Sequence, residues 1–231
     1  MPRIEAILFD FAGTLFAPEP AAPWVVGAAR KIGLELSEGD AERLAERCSA
    51  AGLPGGPYPS KVPDDLASSY ARRDLDPVAH SAAYVGLLRT ATESFPGLAE
   101  GIYARVLEPE CWVPYIDTRR VIDALIDKGI RIGLVSNVGF DLRPILRHHG
   151  FEELAGHCTL SFEQHVIKPD PLIFEAALRS VGSVPSTTLM VGDHPDADGA
   201  AAKLGIRTLI WPMSPAGTDH GLDRVLRLLG A

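Results

Sequence analysis

Short apolar runs alternate with stretches whose apolar residues recur every three or four positions, at the start of the chain and again from residue 116 onward. The runs IEAILF (4–9), IRIGLV (130–135), HCTL (157–160), TLMV (188–191) and IRTLI (206–210) read as strands. Between them, TRRVIDALIDKG sets Val121, Ile122, Leu125 and Ile126 at helical spacing and stops at Gly129, a residue suited to a left-handed helix end. DLRPILRHHG opens with Asp141 as a candidate cap and carries Pro144 in its first turn, where a missing N–H costs little. DPLIFEAALRSVG repeats the grammar with Asp170, Pro171 and Gly182. Strands and helices in this alternation predict an α/β fold, a parallel sheet wrapped by helices.

The pattern changes between residues 17 and 115. Segments such as GDAERLAERCSAA and DPVAHSAAYVGLLRTATES are helical in character, and no strand is expected there. A Gly- and Pro-rich loop, GLPGGPYPSKVP, divides them. The expected organisation is an α/β core over 1–16 and 116–231, interrupted by an all-helical insert over 17–115.

Composition narrows the classes of partner. Apolar residues make up 46% of the 231 positions and charged residues 23%, so the chain can bury a core. Its 30 acidic against 22 basic residues give a net charge of −8, which argues against a nucleic-acid partner and against anionic membrane surfaces. A small anionic substrate stays compatible, because a local site can be positive. AAPWVVGAA is far shorter than the roughly 18 residues of a membrane span, and Glu5 and Asp10 interrupt the N-terminal run, so no signal peptide is expected. Cys48, Cys111 and Cys158 are odd in number and form no CxxC pair, which suits free thiols in a cytoplasmic protein. The sequence specifies no oligomeric state.

In parallel α/β sheets the C-terminal strand ends face a common crevice. Asp10 follows the first run, Ser136 and Asn137 follow IGLV, Gly192 and Asp193 follow TLMV, and Lys168 lies in VIKPDP. A lone aspartate at such a place more often makes a turn or caps a helix. The ordered set LFDFAGTL, LVSN, KPD and VGDHPDADGA, however, resembles the four motifs of the haloacid dehalogenase-type hydrolase superfamily. The insert sits where that family carries a helical cap.

The resemblance implies a Rossmann-like core with the first strand central in the sheet. It implies that Asp10 is a carboxylate nucleophile forming a covalent aspartyl intermediate. It also implies Mg²⁺ as cofactor, held by Asp10, the backbone carbonyl of Ala12 and Asp193, offsetting the charge of a phosphate. Asp198 would support the metal's waters, with Asp196 as its rival for that role. Ser136 and Lys168 would grip the transferring oxyanion, and Pro169 would hold Lys168 extended. Thr14, bracing the first loop, and Asn137 are candidate substrate-binding positions.

Ala12 departs from the pattern of the phosphatases of this superfamily, which carry a second aspartate there as general acid and base. Such help is worth about 10²–10⁴ in rate. Alanine keeps the carbonyl but moves no proton. The readings left open are a metal-dependent hydrolase of a small phosphorylated metabolite with its acid elsewhere, a phosphonate-cleaving enzyme of DxAGT type using a cap lysine, a 2-haloacid dehalogenase, and a weakly active binding or scaffold module. Lys31 and Lys61 are the cap lysines.

Other residues carry competing explanations. His80, on a helix capped by Asp76 with Pro77 first, reads as a packed core histidine before a proton carrier. Trp24 and Trp112 suit the core better than a pocket mouth. Asp64, Asp65, Arg72 and Arg73 suit a charged helix face, although one arginine could meet an anion. His194, beside the fourth motif, is either a proton donor or a bystander. The glycine-rich loop reads equally as a lid or as a solvated connection.

Overall fold

Four consecutive buried residues, Ala6–Phe9, form the first strand, β1, at the centre of the sheet. The computed structural model describes residues 3–230. After β1 come β2 (Phe16–Pro18), then the helices α1 (Ala21–Lys31), α2 (Glu38–Ala51), α3 (Ala67–Arg72), α4 (Pro77–Ala91) and α5 (Leu98–Ala104). The chain returns through β3 (Trp112–Pro114) to α6 (Thr118–Asp127) and β4 (Arg131–Ser136). It continues as α7 (Arg143–His148), α8 (Glu152–Gly156), β5 (Cys158–Leu160), α9 (Ser161–Gln164) and α10 (Pro171–Ser180). Last come β6 (Thr188–Gly192), β7 (Arg207–Ile210) and α11 (Asp223–Leu228).

The five expected strands form one parallel sheet in the order β5-β4-β1-β6-β7. Phe9 lies opposite Leu134 of β4 and Val191 of β6, so the C-terminal ends of the three central strands are level. Side chains alternate between the two faces. Ile7 and Phe9 join a core with Val121, Ile122 and Leu125 of α6, whereas Ala6 and Leu8 join Phe174 and Ala177 of α10. Both faces are covered, which is why central β1 is apolar without interruption.

The helix signals act as the residue types require. Asp76 accepts N–H groups from Val78 and Ala79 at 2.7 and 3.3 Å, and Asp170 accepts from Leu172 at 2.9 Å. Asp141 takes the N–H of Arg143 at 3.0 Å. Gly129 has φ +70°, the left-handed value expected past α6.

One expectation needs correction. Residues 17–115 are not free of strand, because β2 and β3 pair antiparallel, Phe16 opposite Pro114 and Pro18 opposite Trp112. The two strands have three residues each and include prolines, so no alternation marks them. Ring packing brings them together: Phe11 stacks on Phe16 at 4.7 Å, and Trp112 meets Phe11 at 5.1 Å. This ladder forms the entrance and exit of the helical stretch.

Trp24 and Trp112 are buried and donate to the carbonyls of Ile102 and Val106, so both serve packing. His80 is buried, and its Nδ1 lies 2.8 Å from the Tyr103 hydroxyl. Burial, aided by Arg73, lowers its pKa to about 4, so it stays neutral. Cys48, Cys111 and Cys158 are free. Among the described residues, no helix is long and apolar enough to cross a membrane.

Candidate active site

The level strand ends deliver Asp10, Ser136 and Asp193 to one edge of the sheet. Asp10 is fixed there by its own N–H, which donates to Val191 at 2.9 Å. Lys168 arrives from the loop before α10 and inserts between two carboxylates. Its Nζ donates to Asp10 Oδ1 at 2.7 Å, Asp198 Oδ1 at 2.6 Å and the Val135 carbonyl at 3.1 Å. An ammonium has three protons, and all three are used. Lys168 and Asp198 are 4% and 0% exposed, so this charge network lies almost wholly out of water.

Asn137 holds the lysine in place. Its Oδ1 accepts the Lys168 N–H at 2.7 Å and its Nδ2 donates to the Lys168 carbonyl at 3.0 Å. Asp198 is equally committed, its Oδ2 accepting N–H groups from Asp193 and His194 at 3.2 and 3.0 Å. That grip shapes the turn presenting Asp193. Gly192 is required by it, since a Cβ there would lie 2.3 Å from the Asp198 carboxyl carbon.

Ligand oxygens of Asp10, Asp193 and Asp198 all lie within 4.8 Å of one another. Three carboxylates against one ammonium leave two negative charges in a confined volume. Burial, with repulsion from Asp10 and Asp198, pushes the Asp193 carboxyl up to about 7. Burial also raises Asp10, against the opposing pull of Lys168. For Lys168 burial acts downward, but Asp10 and Asp198 outweigh it and lift its pKa above the ordinary lysine range. A hard divalent cation fits this donor set, with all-oxygen ligands and two charges to neutralise.

A pocket of about 510 Å³ opens over these groups. Asp10, Ala12, Ser136, Asn137, Lys168 and Asp193 all line it, and Asp198 and exposed Asp196 reach it too. Thr14 does not: its side chain is fully buried and its hydroxyl finds no partner among the described residues. His194 lies on the rim, its Nδ1 accepting the Ala197 N–H at 3.2 Å and its ring edge-on to exposed Tyr58. The stretch Gly55–Pro59 of the glycine-rich loop forms part of the same wall.

The helical stretch contributes a second set of polar groups that sequence spacing did not single out. Tyr70, Asp74 and Tyr84 line the pocket together with Arg73, for which the sequence predicts a charged helix face with a contact to an anion as the alternative. The Arg73 guanidinium sits 4.1 Å over the Tyr70 ring and 3.3 Å from the Asp74 carboxylate. Asp64 and Asp65 lie outside this wall, and Arg72 pairs with Asp76 at 3.1 Å. No signal in ARRDLDP separates the inward Asp74 from the capping Asp76.

A parallel sheet with β1 central, an aspartate at its tip and a lysine–carboxylate network beside it define a hydrolase of the haloacid dehalogenase type. The chain belongs to that family: the model of the haloacid dehalogenase-like hydrolases matches residues 4–205. Its curated relatives include haloacid dehalogenase-like hydrolase domain-containing protein 3 of Danio rerio, 34% identical over 48% of this chain and 46% of the relative. The glyceraldehyde 3-phosphate phosphatase of Methanothermobacter thermautotrophicus is 34% identical over 48% of this chain and 52% of its own length. The match thus spans about half the length of these two relatives. The phosphoserine phosphatase of Thermus thermophilus is 27% identical over 95% of this chain and 90% of that protein. Among solved structures, a dehalogenase superposes with a TM-score of 0.67 at 22% identity, covering 100% of this chain and 99% of that one. At this identity the likeness concerns the fold.

Proposed function

We propose that the protein is a Mg²⁺-dependent phosphohydrolase of a small anionic phosphate ester, with Asp10 as nucleophile and residues 17–115 as a cap over the core. The observation that carries this reading is the placement of Asp193 beside the Lys168-bridged pair Asp10 and Asp198, a cluster two positive charges short of neutrality.

Asp10, Asp193 and the Ala12 carbonyl would hold the cation. When bound, it would screen the charge that otherwise repels a phosphate dianion from a carboxylate. Lys168 pulls Asp10 toward its ionised form and aims it, and with Ser136 it lines the space where the phosphoryl oxygens would lie. Asp10 would attack phosphorus, forming an acyl phosphate and expelling the alcohol; water would then release phosphate. Asn137 acts through Lys168, whose backbone it grips on both sides.

The imine route of a phosphonate-cleaving enzyme needs a second lysine at the substrate. Lys168 is the one lysine among the described residues lining the pocket. Lys31 pairs with Glu108, and Lys61 lines a separate cleft with Arg47 and Asp64. A haloacid dehalogenase needs no cation, and the uncompensated carboxylates speak against that route.

The test is a panel of phosphate esters, phosphonates and 2-haloacids, assayed with Mg²⁺ and with chelator, for the wild type and Asp10→Asn. Glyceraldehyde 3-phosphate and phosphoserine, named for two relatives, are the first esters to try. The expected result is chelator-sensitive phosphate release that D10N abolishes. Dehalogenation that ignores chelator would overturn the reading, and silence across the panel with Mg²⁺ still bound would favour a binding module.

A further inference from the structure

We propose that Asp74, carried by the turn between α3 and α4, is the general acid and base that Ala12 cannot be. The assignment rests on the phosphohydrolase reading and supplies the proton transfers that reading lacks.

The geometry begins with the nucleophile. In phosphoryl transfer the attacking and leaving oxygens lie roughly in line across phosphorus. Asp10 occupies the sheet end of the pocket, so the leaving oxygen points away from the sheet, toward the walls built by the helical stretch. Asp74 is the carboxylate that this stretch contributes to the pocket lining.

Asp74 is also firmly seated. The Ser161 hydroxyl, at the start of α9, donates to the Asp74 carbonyl and accepts the Val138 N–H at 2.8 Å. One hydroxyl thus ties the turn to the loop that follows β4. The same loop brings Gly139 so near that a Cβ there would lie 2.3 Å from the Arg73 carbonyl and 2.5 Å from the His80 Cβ. These contacts fix the turn against the core with Asp74 facing the pocket.

Its surroundings suit a group that changes protonation state. Burial raises the Asp74 carboxyl above its ordinary range, while neighbouring Arg73 and, across the pocket, Lys168 hold the rise in check. Tyr84 from α4 hydrogen-bonds Arg73, and Tyr70 from α3 stacks beneath the guanidinium. Asp10 and Asp193 of the core share the pocket with it. Arg73 keeps the ionised form viable after proton loss.

The two steps balance. As the Asp10–phosphorus bond forms and the ester P–O bond breaks, the Asp74 carboxyl gives its proton to the departing alkoxide, releasing an alcohol. The Asp74 carboxylate then takes a proton from the incoming water. That oxygen bonds to phosphorus, the bond to Asp10 breaks, and hydrogen phosphate leaves with both side chains restored.

The experiment compares the wild type, Asp74→Asn and the double variant Ala12→Asp/Asp74→Asn on an alkyl phosphate and on 2,4-dinitrophenyl phosphate, whose leaving group needs no proton. D74N is expected to lose about 10²–10⁴-fold on the alkyl ester. With the dinitrophenyl ester it should give a burst of one equivalent of phenolate followed by slow turnover, with phosphate trapped on Asp10. A12D in the same background should restore steady-state turnover of the alkyl ester, which a protein damaged only in folding would not show. Equal losses on both esters without a burst, or D74N matching the wild type, would overturn the assignment alone. The same burst from His194→Gln with D74N unaffected would move the proton to His194 and overturn it as well. A wild type that phosphorylates no aspartate from either ester would bring down the phosphohydrolase reading, and Asp74's role with it.

Discussion

A methyl group on Gly13 would lie 2.5 Å from Oδ2 of Asp193, although the two residues come from opposite ends of the chain. The first loop and the fourth motif are therefore in direct contact, and the backbone at residue 13, at φ +82°, shapes the space around the Asp193 carboxylate. Glycine meets both demands, the left-handed conformation and the absent side chain.

Gly13→Ala should therefore cost stability and displace Asp193 together. A loss of about 1–2 kcal/mol is expected from the backbone conformation alone. Mg²⁺-dependent activity should fall further than the melting temperature suggests, because the new Cβ strikes the carboxylate rather than a passive wall. Calorimetry and titration of Mg²⁺ on the same sample test this, and unchanged Mg²⁺ affinity would contradict it.

Lys168→Met should remove the one ammonium between Asp10 and Asp198 and leave two buried carboxylates facing each other. Breaking a buried ion pair from one side costs about 3–5 kcal/mol. Adding Asp198→Asn to Lys168→Met should recover part of that loss without restoring activity. Denaturant melts of the single and double variants measure the coupling, and additive losses would refute it.

In the metal-free protein the Asp193 carboxyl should contribute stability that is lost as pH rises toward neutrality, against an opposing gain below about pH 6.5 from His80, which is buried neutral. Asp193 has its carboxyl raised to about 7 when folded, against an ordinary value of 3.8. Between those values the folded form binds more protons than the unfolded one, so stability is greatest below about pH 4 for this group and declines through pH 7. In chelator, Asp193→Asn should flatten the decline and be more stable than the wild type at pH 7.5. Mg²⁺ should restore the wild type and do less for the variant. Melting curves across pH 4.5–7.5, with and without metal, give the comparison.

Gly139→Ala should push the helical stretch off the core. Its Cβ would meet the Arg73 carbonyl and His80 at distances no packed structure tolerates. The sheet is untouched, so the expected result is a fall in activity of at least about tenfold, roughly 1.4 kcal/mol, with a smaller change in melting temperature. A raised KM with intact Asp10 phosphorylation by acetyl phosphate would mark a displaced wall rather than a damaged core.

How much of this was legible depended on the range of the interaction. Asp76 and Asp170 accept N–H groups within three residues, and Pro77 and Pro171 open the turns that follow, so spacing reveals these helix starts. The β2–β3 ladder is not legible because two three-residue strands carry no period, and their pairing depends on Phe16 and Trp112 both packing against Phe11 although the helices separate them in sequence. Arg73 and Asp74 looked like any charged turn. Their facing the pocket is set by Ser161 and Gly139, each more than sixty residues away.

The sequence by itself determined a parallel α/β core, five strands, a helical stretch inside it and the ordered aspartate, serine, lysine and aspartate of the family. Those features arise from periodicity and from residue chemistry at strand ends, both written locally. The tertiary structure decided which acids share a charge network, that Asn137 grips Lys168, that Thr14 is buried away from the pocket, and that Asp74 rather than Lys61 faces the pocket. Such choices are made by burial and by contacts between distant segments, and a linear pattern records neither.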